Sequence, residues 1–99
     1  MAALGPDQVR RVAIVGAGVI GGGWAVHYLR MGLDVAVYDP APRAEAALLR
    51  LRDAAWPVLE RLGLRHGASP DRLTFHTDLA GAIAGADFVQ ENGPEDAKV

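Results

Sequence analysis

A short β-branched run, Val12-Ala-Ile-Val15, passes straight into Gly16-Ala-Gly18-Val-Ile-Gly21, and a stretch with helical periodicity follows without a gap. That order predicts strand, tight turn and helix. In a G-x-G-x-x-G turn the first glycine lets the chain reverse, the second admits a close backbone approach to a phosphate, and the third allows helix and strand to pack tightly. The free N–H groups and the positive end of the helix dipole then face an anion. With 12 glycines in the chain the spacing alone is weak, so its context matters. Val12 to Val15 supply a buried parallel strand, Ala25 is small one turn beyond Gly21, and Asp39 ends the next apolar run. Together these indicate a dinucleotide site.

Asp39 stands about 20 residues after the glycine turn, at the C-terminal end of a second strand read over Leu33 to Asp39, where a carboxylate can accept hydrogen bonds from ribose hydroxyls. The competing reading is a helix cap ahead of Pro40-Ala-Pro42, itself a helix-entry signal. A carboxylate would repel the 2′-phosphate of NADP, so NAD is the expected cofactor.

The rest of the chain alternates in the same way. Val19 to Met31 is expected to be a helix whose stripe of Ile20, Trp24 and Tyr28, with Ala25 and Leu29 beside it, faces the core, leaving His27 exposed. Gly32 is its stop. From Arg43, Leu48, Leu51, Ala55, Val58 or Leu59, and Leu62 recur at helical steps, and Pro57 is expected to bend the helix or divide it in two. Gly63 ends it, a loop follows over 65–71, and Leu73 to Thr77 alternates as a third strand. Asp78 can cap a short helix from Leu79 to Ala84, and Asp87 to Glu91 reads as a fourth strand, with a further helix opening at Glu95. The order β-α-β-α-β-α-β is α/β. It predicts the first mononucleotide-binding half of a Rossmann doubly wound parallel sheet, strand order 3-2-1-4, truncated after strand four. Residues 1–9 are expected to be a flexible leader and 10–99 the N-terminal part of the dinucleotide-binding domain.

Composition narrows the partners. Lys+Arg 10 against Asp+Glu 12 gives a net charge of −2, and the arginines are scattered without aromatic interleaving, which argues against nucleic acid. There are no cysteines, so disulfides and thiolate metal sites are excluded, and no metal ligand set is found. No apolar stretch approaches the roughly 20 residues of a membrane span, and Met1 to Gln8 lacks the pattern of a signal peptide, so a cytoplasmic location is expected.

The segments Gly16 to Ala25, Tyr38-Asp39-Pro40 and Ala86 to Glu95 resemble the NAD-binding domain of the L-3-hydroxyacyl-CoA dehydrogenase superfamily. Ala55-Trp-Pro-Val-Leu-Glu-Arg-Leu-Gly-Leu64 and Ala68-Ser-Pro-Asp-Arg-Leu73 resemble its carnitine-oxidising branch. The resemblance implies that Gly16, Gly18 and Gly21 form the diphosphate turn, that Val19 and Ile20 offer backbone donors, that Asp39 is the ribose acid, and that Glu95 lies near the nicotinamide. Glu91 and Glu95 are equally readable as solvated acids at a strand end and in a first helical turn. The family's catalytic histidine belongs further along the fold, and none of the three histidines here matches it, so no catalytic residue is assigned.

The implied activity is oxidation of a 3-hydroxy acid such as L-carnitine with NAD, in a full-length protein expected to be a homodimer. A 3-hydroxyacyl-CoA substrate is the alternative, disfavoured because the region after strand two is rich in Arg, Leu and Ala where CoA-binding members carry polar and lysine residues. A nucleotide-binding regulatory domain or a crystallin-like relative without chemistry would share the same fold, because fold alone does not decide function.

Overall fold

The computed structural model describes residues 8–92. Its elements are β1 (Arg11–Val15), α1 (Gly18–Arg30), β2 (Asp34–Tyr38), α2 (Ala44–Leu62), a 3₁₀ turn (Pro70–Arg72), β3 (Leu73–His76), α3 (Leu79–Ile83) and β4 (Phe88–Glu91). The strands form one parallel sheet of order β3-β2-β1-β4, as the sequence predicts.

Alternation in this sheet separates two faces. Val12 and Ile14 of β1 stand in register with Val35 and Val37 of β2, and these with Leu73 and Phe75 of β3. Most of these residues join Ala25 and Leu29 of α1 and Leu48 and Trp56 of α2 in one buried cluster, with Phe75 packed at its margin, so both long helices cover this face. Ala13 and Ala36, between them in sequence, are fully buried on the opposite face, where α3 lies with Ala82 inward. A strand buried on both faces must be apolar throughout, which is why β1 and β2 read as continuous hydrophobic runs.

Helix α1 is rotated from the expected orientation. Its buried residues are Gly21, Gly22, Ala25, Val26 and Leu29, while Ile20 is 50% and Trp24 42% exposed. Packing distance is the reason. A face of glycine and alanine brings the helix axis close to the sheet and to α2, where a Cβ on Gly22 would lie 2.7 Å from Leu51 Cδ2. The bulky stripe is turned toward β4 instead, with Trp24 stacked on Tyr28 and the Tyr28 hydroxyl donating to Gln90 Oε1 at 2.7 Å.

Helix α2 departs in two ways. It runs unbroken through Pro57 as one helix of 19 residues, so the division into two does not occur. Its buried positions are Leu48 and Trp56, whereas Leu51, Val58 and Leu62 of the expected stripe are exposed. Trp56 lies eight positions after Leu48 and so on the same side of the helix, which brings its large side chain into the buried cluster. Smaller differences follow from hydrogen bonding. Val9, counted in the leader, packs against the core. Asp87 precedes β4 rather than opening it, and its Oδ2 accepts from the backbone N–H groups of Arg10 and Arg11 at 2.9 and 3.1 Å. The Asp78 cap forms as expected, accepting from Gly81 N–H at 2.8 Å.

Candidate functional site

The C-terminal ends of β1, β2 and β4 converge on a cleft of about 550 Å³ lined by the glycine turn, Tyr38, Asp39, Pro40, Glu91 and Asn92. This is the crevice beyond the strand ends, at the point where the order reverses from β2 to β4 on either side of β1, where open α/β sheets bind ligands. The turn is held on both flanks by backbone: Gly16 N–H donates to Tyr38 O at 2.8 Å, and Asn92 N–H donates to Val15 O at 2.7 Å.

Each glycine of the motif has a separate physical reason. Gly16 has φ +96, and a Cβ there would stand 2.0 Å from the Asn92 carbonyl oxygen. A Cβ on Gly21 would stand 2.0 Å from the Gly16 carbonyl oxygen, so the start of α1 can lie on the turn only without a side chain. Gly18 differs. It has φ +40, and nothing lies within 4 Å of where its Cβ would be. It lines the cleft, so packing within the described residues does not demand a glycine there.

The helix start is prepared for an anion. Ala17, at the N-cap, gives no side-chain hydrogen bond, and the first turn of α1 holds no acidic residue. The N–H groups of Gly18, Val19 and Ile20 therefore point out of the helix with no partner within it. Val19 is 89% exposed, so at this position the backbone carries whatever role the residue has in the cleft. Among the described residues no lysine or arginine lines the cleft, which leaves backbone dipoles as their source of positive potential there.

Asp39 sits at the end of β2, half-buried. Its Oδ2 accepts from Ala17 N–H in the glycine turn at 2.7 Å, and its Oδ1 accepts from Ala41 N–H at 2.8 Å. Neither bond caps α2, whose N-cap is Arg43 and which begins at Ala44. The carboxylate thus ties β2 to the turn and keeps acceptor capacity to spare, since two ionised oxygens offer about four lone-pair positions. The glycine turn and Asp39 are brought to one cleft with Val19 and Ile20, while Glu95 lies outside the described residues.

Sequence reasoning passed over Asn92, whose carbonyl and side chain both border the turn, and gave Glu91, which lines the same cleft, no role of its own. Their signal is position, at the end of the strand on the other side of β1. None of the three histidines lines the cleft: His27 is exposed on α1, His66 lies in a loop, and His76 closes β3 with its Nε2 3.0 Å from Thr74 Oγ1. Among the described residues there is no group of three or more potential metal ligands, and no helix is long and apolar enough to cross a membrane.

The orphan backbone donors, the open side of Gly18 and a carboxylate with spare acceptor capacity suit a dinucleotide, and comparison with known proteins agrees. Residues 11–99 match the family model described as 3-hydroxyacyl-CoA dehydrogenase, NAD binding domain. L-carnitine dehydrogenase of Streptomyces coelicolor is 61% identical over 90 residues, covering 91% of this chain and 28% of that protein. L-carnitine dehydrogenase of Bacillus cereus is 50% identical over 92 residues, 93% of this chain and 28% of that protein.

Among solved structures, a 5-formyl-3-hydroxy-2-methylpyridine 4-carboxylic acid 5-dehydrogenase aligns with TM-score 0.77 and 37% identity over 89% of this chain and 29% of that one. The 3-hydroxybutyryl-CoA dehydrogenase of Escherichia coli K12 aligns with TM-score 0.73 and 28% identity over 88% of this chain and 19% of that one. The chain spans little more than a quarter of the length of the curated relatives it matches. By sequence, sheet order and cleft alike, it belongs to the family of 3-hydroxyacyl-CoA dehydrogenase NAD-binding domains.

Proposed function

We propose that this chain is the N-terminal, NAD-holding part of a longer dehydrogenase that oxidises the 3-hydroxy group of a small hydroxy acid, with L-carnitine as the substrate. The observation that carries the reading is Gly18: a left-handed glycine with empty space on its Cβ side, at the mouth of a cleft whose other wall carries Asp39. In this reading Gly16 and Gly21 shape the turn, Gly18 admits the diphosphate, and the N–H groups of Val19 and Ile20 donate to it. Asp39 accepts from the adenosine ribose hydroxyls, and Glu95, outside the described residues, is assigned to the nicotinamide side by the family resemblance. When bound, NAD supplies the hydride acceptor for conversion of the hydroxyl to a ketone. The residues of this chain bind and orient; the general base and the substrate pocket belong to the remainder of the longer protein.

Identity to L-carnitine dehydrogenases at 50–61% favours carnitine over the acyl-CoA thioesters. The second reading rests on the likeness to 3-hydroxybutyryl-CoA dehydrogenase at 28% identity. A side-by-side assay of the full-length protein with L-carnitine and L-3-hydroxybutyryl-CoA tests the choice. Carnitine is expected to give the higher kcat/KM, and a higher value for the thioester would move the protein to the acyl-CoA branch.

A further inference from the structure

A line of side-chain amides runs from α1 to the glycine turn and ends in a donor with nothing to bond. The Tyr28 hydroxyl donates to Gln90 Oε1 at 2.7 Å, and Gln90 Nε2 donates to Asn92 Oδ1 at a long 3.4 Å. With its oxygen turned to Gln90, the Asn92 amide presents Nδ2 to the turn. There it stands 3.5 Å from the point a Cβ on Gly21 would occupy, a point that the Gly16 carbonyl oxygen also crowds. Nδ2 is buried and has no hydrogen-bond partner among the described residues. An unpaired buried amide costs its desolvation without return, and such groups are rare enough that each calls for a cause. Gln90 occupies one side of Asn92, and among the described residues the other side is the glycine turn that lines the cleft.

Resting on the reading of the cleft as the NAD site, we propose that Asn92 reads the cofactor's diphosphate. Its Nδ2, which water does not reach in this structure, donates to a diphosphate oxygen seated on the glycine turn after a small shift of the amide toward the cleft, and Tyr28 and Gln90 anchor its other side. The relay also accounts for Gln90, a polar residue in the strand that neighbours apolar β1, and for the Tyr28 hydroxyl placed over β4. Asn92 is a binding residue on this account, and Tyr28 and Gln90 are positioning residues.

The test is calorimetric titration of the full-length protein and its Asn92→Ala, Asn92→Asp and Tyr28→Phe variants with NAD, ADP-ribose and adenosine. Asn92→Ala is expected to weaken NAD and ADP-ribose by about tenfold, as for loss of one hydrogen bond to a charged group, and to leave adenosine unchanged. Asn92→Asp keeps the shape and replaces the donor with a charge that repels phosphate, so its loss for the two diphosphates should be larger still, again sparing adenosine. Tyr28→Phe should fall between wild type and Asn92→Ala. Equal weakening of all three ligands, or Asn92→Ala binding NAD as wild type does, would overturn the proposal. A wild-type protein that binds neither NAD nor ADP-ribose would instead remove the reading of the cleft, and this inference with it.

Discussion

At the scale of single residues the three glycines of one motif separate by what surrounds them. Gly16→Ala and Gly21→Ala each place a methyl 2.0 Å from a backbone oxygen, which no rotamer change can relieve, so both should lower the thermal midpoint severely or abolish folding. Gly18→Ala meets no atom and bears only the cost of its left-handed backbone, roughly 1–2 kcal/mol, yet it fills the space a ligand would use. Circular dichroism with NAD titration should therefore find Gly18→Ala folded and unable to bind, and an unfolded Gly18→Ala would contradict this. Asp39 holds Ala17 N–H and, on the proposed reading, offers its remaining lone pairs to a ribose. Asp39→Ala should weaken NAD by about tenfold or more and NADP far less, because the ribose bonds serve only the cofactor with a free 2′-hydroxyl, whereas the lost bond to Ala17 N–H loosens the turn for both. Titration of both cofactors checks it, and equal loss for the two would reduce Asp39 to a turn-maker.

Among the elements, α2 and the start of β1 carry the clearest consequences. Pro57 lies inside a continuous helix on its exposed side, so the carbonyl four residues earlier, at Asp53, lacks its intrahelical donor. Pro57→Ala restores that bond and should stabilise the fold by about 1–3 kcal/mol, read as a higher urea midpoint with unchanged slope. A lower midpoint would mean that the proline sets the angle at which Trp56 enters the core. Asp87 gives a pH dependence whose sign is fixed. The backbone N–H of Arg10, then that of Arg11, bonds its carboxylate and holds its pKa below the usual value. The folded pKa is thus the lower of the two, so its stabilisation is complete above the unfolded value of about 3.9 and is lost as pH falls through the folded pKa. The difference in stability between wild type and Asp87→Asn should be constant near neutrality and vanish in acid below pH 4. A difference that persists there would assign the effect to shape and not to charge.

For the whole molecule the consequence lies at the sheet's edge. Among the described residues β4 is paired on one side only, with β1, and Phe88 and Val89 are each 48% exposed. An open parallel edge with apolar side chains is a template for association. The 99-residue polypeptide alone is expected to self-associate with rising concentration in sedimentation experiments and to show no turnover of NAD with 3-hydroxy acids. Val89→Lys, which puts a charge on that edge, should suppress association. A monomer at high concentration, or measurable turnover, would contradict the view that its fold and chemistry are completed elsewhere.

Element order, strand sequence in the sheet, the glycine turn and the place of Asp39 were all legible in the residues, since each depends on local signals: β-branched runs, glycine spacing, a carboxylate at a strand end. Parallel pairing then follows from the lengths of the connections. Which side of each helix faces inward was not legible. Ile20, Trp24 and Tyr28 form as good a helical stripe as Gly21, Ala25 and Leu29, and hydrophobicity alone prefers the larger residues. Tertiary packing decided otherwise, because α1 lies so close to the sheet and to α2 that only the small-residue face fits. The same holds for Trp56, which joins the buried cluster in spite of the proline beside it. Asn92 was invisible for a related reason: its amide acquires meaning only when β4 lies next to β1 and sets it against Gly16 and Gly21, a neighbourhood made of residues more than 70 positions away in the chain.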